Sequence, residues 1–276
     1  DIEGVLKDPY ISLELPDSLI LYDPAGLILD LIKEVEPVYK KPVYVKARGQ
    51  NLLELPKRWI PILREESYTH GTVYDAWNLR SVISILARIP PILTNTAPGG
   101  IKLFVLLQKA AAELHHEELF PLGINAIGAH DITKDEVERF TVDIFNAFEY
   151  VNSAVAPDKL HHWHLSPDKR EYWQRGIWWL MNNGFYREAV CPLLNLAPLC
   201  IVEIQEARLE SELLDKCVSF LNRLGFPPHR NTEKKLETPS RNRRKAARQN
   251  ILWRIILHFE IGKEKRYSKA LFFVSD

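Results

Sequence analysis

The chain has 276 residues, an apolar fraction of 46%, three cysteines, and 36 Lys+Arg balanced by 36 Asp+Glu. An apolar content of that order supports a sizeable core without metal or disulfide staples. The longest apolar run, residues 190–202, is interrupted by Pro192, Asn195 and Pro198, which excludes it as a bilayer span.

Residues 1–58 form a proline-punctuated arm, with Pro9, Pro16, Pro24, Pro37, Pro42 and Pro56. Proline restricts helices to short pieces. One such helix is expected over Ala25–Val35. The alternating stretch Pro42–Gly49 reads as a short strand. The first ten residues, DIEGVLKDPY, carry no signal-peptide pattern. There is no initiator Met, and the expectation is a processed chain or a fragment.

Residues 59–225 read as the helical core. Leu55–Tyr68 is expected to be a short helix broken by Pro61. Tyr74–Ile89 follows, with Trp77, Val82, Ile85 and Leu86 on its apolar side and Pro90-Pro91 as its stop. Ile101–Phe120 shows a stripe of Leu103, Leu106, Leu107, Ala110 and Leu114. Thr133 with Glu136 is a capping-box pattern opening a helix lined by Val137, Phe140, Ile144, Phe148 and Val151.

Lys159–Ala189 holds four of the seven tryptophans: Trp163, Trp173, Trp178 and Trp179. Ser166 and Pro167 suit a helix start, and Asn182-Asn183-Gly184 a helix end. Trp173, Ile177, Leu180 and Met181 share one face, and this aromatic helix is expected at the centre of the core. Phe185–Leu196 reads as its return arm. Ile201–Leu224 reads as one long helix stopped by Gly225-Phe226-Pro227-Pro228.

Residues 226–240 are polar and read as a loop or linker. Residues 241–276 read as a basic helix, Arg241 to about Ile261, then a tail with a terminal strand at Ala270–Val274. The expected fold class is therefore mainly α: one multi-helix domain with an irregular arm and a basic C-terminal segment.

Charge is unevenly distributed. Residues 226–276 carry 13 Lys+Arg against 5 Asp+Glu, a net +8, and residues 1–225 carry the compensating −8. Within the basic helix, Arg241, Arg244, Lys245 and Arg248 share a face, with Arg243 beside it. Clustered cations bind phosphates by neutralising charge and releasing counterions. The leading expectation is therefore a binding protein for nucleic acid or another polyanion, with no cofactor. A protein partner is a further reading.

A second reading is a helical oxidoreductase with an iron or other divalent transition-metal centre. Glu113-Leu-His-His116 is a single E-x-x-H, which on a continuous helix places carboxylate and imidazole on one side. Glu117 is adjacent, and His161, His162 and His164 would complete the donors. Asp131 and Asp135 are the only acidic spacing suggestive of diphosphate chemistry, and no second acidic motif accompanies them.

Cys191, Cys200 and Cys217 form no C-x-x-C pair and sit in apolar surroundings, as reduced core thiols do. An intracellular, reducing compartment is expected. The chain has no phosphate-binding glycine loop, no H-E-x-x-H, no G-x-S-x-G and no zinc-spaced cysteine set.

Overall fold

The computed structural model describes residues 1–62, 73–155, 160, 163–209 and 212–226. These residues form eleven α-helices and short 3-10 turns, with no strand among them. The fold is mainly α. They fall into two compact units, one of residues 1–59 with 84–120, the other of residues 60–83 with 121–226. The proline-rich arm therefore shares a unit with a helix read as part of the core.

The first unit opens with α1 (Ile2–Lys7), α2 (Ile11–Glu14) and α3 (Leu27–Val35), which pack on one another. Asp1 caps α1, accepting from Gly4 N–H at 2.5 Å, and Asp8 Oδ1 accepts from the amides of Tyr10 and Ile11. Those carboxylates satisfy donors that a helix start leaves without partners. Leu6, Leu13 and Val35 are the buried apolar residues of this group.

The expected strand at Pro42–Gly49 is instead the start of α4 (Pro42–Ile62). Pro42 stands at the first helical position, where its missing N–H costs no bond. Val45, Arg48, Gly49, Leu52, Leu53, Pro56 and Ile60 are the buried positions. Their spacing of three and four is helical, and the short alternation around Tyr44 misled. Gly49 packs closely: a Cβ there would lie 3.0 Å from Leu93 Cδ2, so the tip of that leucine would have to give by a few tenths of an ångström. The expected break at Pro61 is also absent within the described residues.

Helix α5 (Val73–Leu93) runs through Pro90 and Pro91 rather than stopping before them. Both prolines lie in its last turn, so the two missing N–H bonds, to the carbonyls of Leu86 and Ala87, are lost at the helix end rather than in its middle. Ile101–Phe120, by contrast, is not one helix. It splits into α6 (Leu103–Glu113) and α7 (Leu119–Ala126), and α7 contains the Pro121 and Gly123 expected to follow its end.

In the second unit, α8 (Lys134–Ala154) carries the expected capping box between Thr133 and Glu136. Val137, Phe140, Ile144, Phe148 and Val151 are all buried. Helix α9 (Arg170–Asn182) begins after a 3-10 turn at Pro167–Lys169, and Ser166 makes no side-chain cap to it. Trp173, Ile177, Leu180 and Met181 are buried as expected.

The aromatic helix is nevertheless not the centre. Every residue from Val190 to Ile204 of α10 (Val190–Glu206) is buried. This helix is buried all round, with Asn195 and Glu203 the polar exceptions in an otherwise apolar run, is continuous through Pro192 and Pro198, and packs against α8, α9 and α11 (Glu212–Arg223). Helix α9 exposes a polar side, and Trp178 is only half-buried while Trp163 is 66% exposed. The expected helix Ile201–Leu224 is thus two helices, broken at Ala207–Arg208. Phe140 and Phe220 meet edge-on, with centroids 5.2 Å apart, joining α8 to α11.

Among the described residues, six helix ends close with the same pair of reversed backbone bonds. Examples are His116 N–H to Ala111 C=O at 2.8 Å and Leu209 N–H to Ile204 C=O at 3.0 Å. The residue that takes the left-handed backbone is glycine at Gly128, Gly184 and Gly225, but Asn95, His115 and Arg208 elsewhere.

Candidate functional site

The leading site residues, Arg241, Arg243, Arg244, Lys245 and Arg248, lie outside the described residues, as do the expected helix to Ile261 and the strand at Ala270–Val274. His161 and His162 lie outside them too.

The remaining candidate metal ligands can be placed. Glu113 is the last residue of α6 and is exposed. Leu114 caps the helix, and His115 turns the chain with φ +57°. His116 and Glu117 therefore stand beyond the turn, and Glu113 and His116 do not share a helical face. The E-x-x-H spacing has chemical meaning only on a continuous helix. His116 Nδ1 lies 3.4 Å from Glu118 Oε1. His164 stacks on Trp163 at 3.9 Å between centroids, and its carbonyl accepts from Trp173 Nε1 at 3.2 Å. Among the described residues, no group of three or more His, Cys, Asp or Glu side chains could hold a metal ion.

Cys191, Cys200 and Cys217 are buried, and none forms a disulfide. Burial raises the Cys200 thiol well above its ordinary pKa and pushes Cys217 up to about 12. A buried thiol without a cationic neighbour stays protonated and unreactive, as expected of core cysteines.

Two polar features escaped the sequence reading. The first is an open depression of about 540 Å³ along α9, lined by Pro167, Arg170, Glu171, Gln174, Arg175 and Trp178. Its residues recur at helical spacing opposite the buried stripe, a signal present in the sequence. Its cations are already engaged, Arg170 with Glu149 and Arg175 with Glu171.

The second is a cluster around Arg223, the last residue of α11. Its Nε and Nη2 donate to the two oxygens of Glu136 at 2.7 and 3.1 Å, and Nη1 donates to Asp131 Oδ1 at 3.1 Å. Nη2 also donates to the Asp131 carbonyl at 3.0 Å. Glu136 simultaneously serves the α8 capping box, so one carboxylate joins two helix ends. The Arg223 hydrogen bonds, then the Thr133 backbone amide, pull Glu136 down to about 2, and Arg223 likewise lowers Asp131. A carboxylate lowered on folding contributes stability in full above its unfolded value near 4.5, and that contribution is lost as pH falls toward 2. Arg223→Ala is expected to cost on the order of 1–2 kcal/mol at neutral pH, since the groups are partly exposed. In urea unfolding, the difference from the parent protein should shrink as pH drops from 7 to about 2. An undiminished difference in acid would rule out this pairing as its source.

No helix among the described residues is long and apolar enough to cross a membrane. No protein-family model, curated protein or solved structure matches the chain.

Proposed function

We propose that the chain is a helical binding protein that contacts nucleic acid or another polyanion through Arg241, Arg243, Arg244, Lys245 and Arg248. The observation that carries this reading is the net +8 of residues 226–276 against −8 in the rest of the chain. Like charges at helical spacing destabilise a helix by a few tenths of a kcal/mol per pair, so a run of cations on one face calls for an anionic counterpart. Several cations of the described helices are already committed to ion pairs, among them Arg170, Arg175, Lys216 and Arg223. Residues 241–248 hold five cations in eight positions, a dense run of positive charge. The chemistry is charge neutralisation at phosphate oxygens, sequence-independent and salt-sensitive.

Titrating a fluorescent duplex DNA at several salt concentrations tests the reading. A log–log slope near −0.9 per phosphate contacted is expected, so about −4.5 if all five cations engage. Arg244→Glu together with Lys245→Glu should abolish binding and leave the helical circular dichroism unchanged. Heparin serves as the non-nucleic polyanion arm. Failure of both DNA and heparin to bind at low salt overturns the reading.

A further inference from the structure

Residues 14–36 carry six Asp+Glu and one Lys, a net −5. The same stretch exposes a run of large apolar side chains: Leu19 84%, Leu21 87%, Tyr22 82% and Leu27 71%, with Ile28 and Leu29 beside them. Single exposed leucines are ordinary. These six residues together expose on the order of 800 Å², at about 200 Å² for each if fully exposed, which is the share one partner brings to a standard protein interface. A soluble chain rarely leaves that much apolar surface in one run without a binding role.

The backbone under the second half of the run is fixed. Asp23 Oδ2 accepts from the amides of Ile28 and Leu29 at 2.9 and 3.0 Å, and the Asp23 carbonyl accepts from Gly26 N–H at 3.1 Å. Gly26 takes φ +68°, a left-handed turn that glycine adopts without a Cβ penalty. The turn presents Leu27, Ile28 and Leu29 on the first turn of α3. A surface already ordered loses little freedom when it binds.

Acids stand beside the leucines. On α3, Asp30 and Glu34 follow Leu27 by three and seven residues, within about 60° of it around the helix. All three are exposed, as are Glu14 and Asp17 before the run and Glu36 after it. Among the described residues, Asp30 pairs with Lys33 at 2.9 Å, and Glu14, Asp17, Glu34 and Glu36 enter no ion pair.

The charge selects the occupant. A second copy would set −5 against −5, and an anionic lipid surface is repelled in the same way. The complementary occupant is apolar along one stripe and cationic beside it. We propose that residues 19–34 form the docking surface for a basic amphipathic helix of a partner protein. Its apolar stripe covers the leucines and Tyr22, and its cations meet Asp30 and Glu34. The polyanion reading shares no residue with this surface.

The probe is a labelled synthetic peptide of leucine and lysine, about 14 residues long, with its leucines on one helical face. Fluorescence anisotropy with the full chain should show saturable binding. A peptide of the same composition, its leucines spread around the helix, should bind at least roughly tenfold more weakly. Leu19→Ser, Leu21→Ser and Leu27→Ser combined should weaken binding of the first peptide by a similar factor, because each removes a buried leucine side chain from the contact. Glu34→Lys should also weaken it, with a difference that shrinks as added salt screens the charges. All four positions are exposed, so helical circular dichroism should match the parent. Equal binding of the two peptides, or an affinity unmoved by the serine substitutions, overturns the proposal. A dimer in analytical ultracentrifugation that the serine substitutions abolish would make a second copy the occupant and overturn it too. Flotation with phosphatidylcholine vesicles, lost in the same variant, would do so in favour of a lipid surface. None of these outcomes involves nucleic acid, so failure here leaves the DNA and heparin titration standing.

Discussion

Phe148→Ala is expected to destabilise the protein by about 3–5 kcal/mol, the usual cost of deleting a fully buried aromatic ring. Phe148 is 0% exposed on α8 and lies 6.3 Å, centroid to centroid, from Phe145. Its helix packs on both α10 and α11, so a void there weakens three elements at once. The cost has two parts, the lost transfer of apolar area and the cavity that a close-packed interior fails to close. Trp178→Ala provides the comparison. Trp178 has the larger ring but is only half-buried beside the α9 depression, so its truncation should cost less. Urea unfolding of the two variants checks the ranking. A Phe148→Ala loss below about 1 kcal/mol would contradict a core built on α8, α10 and α11.

Arg48→Ala is expected to have an effect of comparable size, about 3–5 kcal/mol, for a different reason. Arg48 is fully buried and makes no ion pair among the described residues. Its Nη1 donates to the carbonyls of Leu6 and Tyr39 at 3.2 and 2.8 Å, and its Nη2 donates to Asn95 Oδ1 at 3.0 Å. The guanidinium therefore ties α4 to the end of α1, to the turn after α3 and to the left-handed residue that closes α5. Burial pulls its pKa down to about 10, which still leaves it charged at neutral pH. Alanine would strand three oxygens in the interior and leave a cavity. Lysine supplies one nitrogen where the arrangement uses two, so Arg48→Lys should fall between the parent and Arg48→Ala. Thermal unfolding should give that order. An Arg48→Ala variant within about 1 kcal/mol of the parent would show that the carbonyls find other donors.

The basic run and the acidic N-terminus were written in the sequence, because charge is counted rather than folded. Helices with strong periodicity and explicit caps were legible too. The Thr133–Glu136 box and the stripe of α8 stand as read, since both depend on contacts within one turn. The ends at Gly184 and Gly225 were readable because glycine adopts left-handed backbone without a Cβ penalty.

The breaks at His115 and Arg208 were not readable. Both residues take the left-handed backbone, which local propensity disfavours, and the cost is borne by the surrounding packing. Those two turns decide much of the fold. The first separates Glu113 from His116 and removes the helical register on which a metal reading depends. The second divides the expected 24-residue helix into α10 and α11, which then pack on one another.

Proline misled in the opposite direction. Pro56, Pro90, Pro91 and Pro198 lie inside helices, where packing offsets the lost hydrogen bond, and Pro192 stands in the first turn of α10, where none is lost. The sequence alone determined helical class, charge layout and the apolar stripes, because each follows from residue type at fixed spacing. Tertiary structure alone decided that α10 rather than the tryptophan-rich helix is central, and that Arg48 is solvated by three oxygens inside the protein. Burial on all sides and long-range acceptors exist only once distant segments have met.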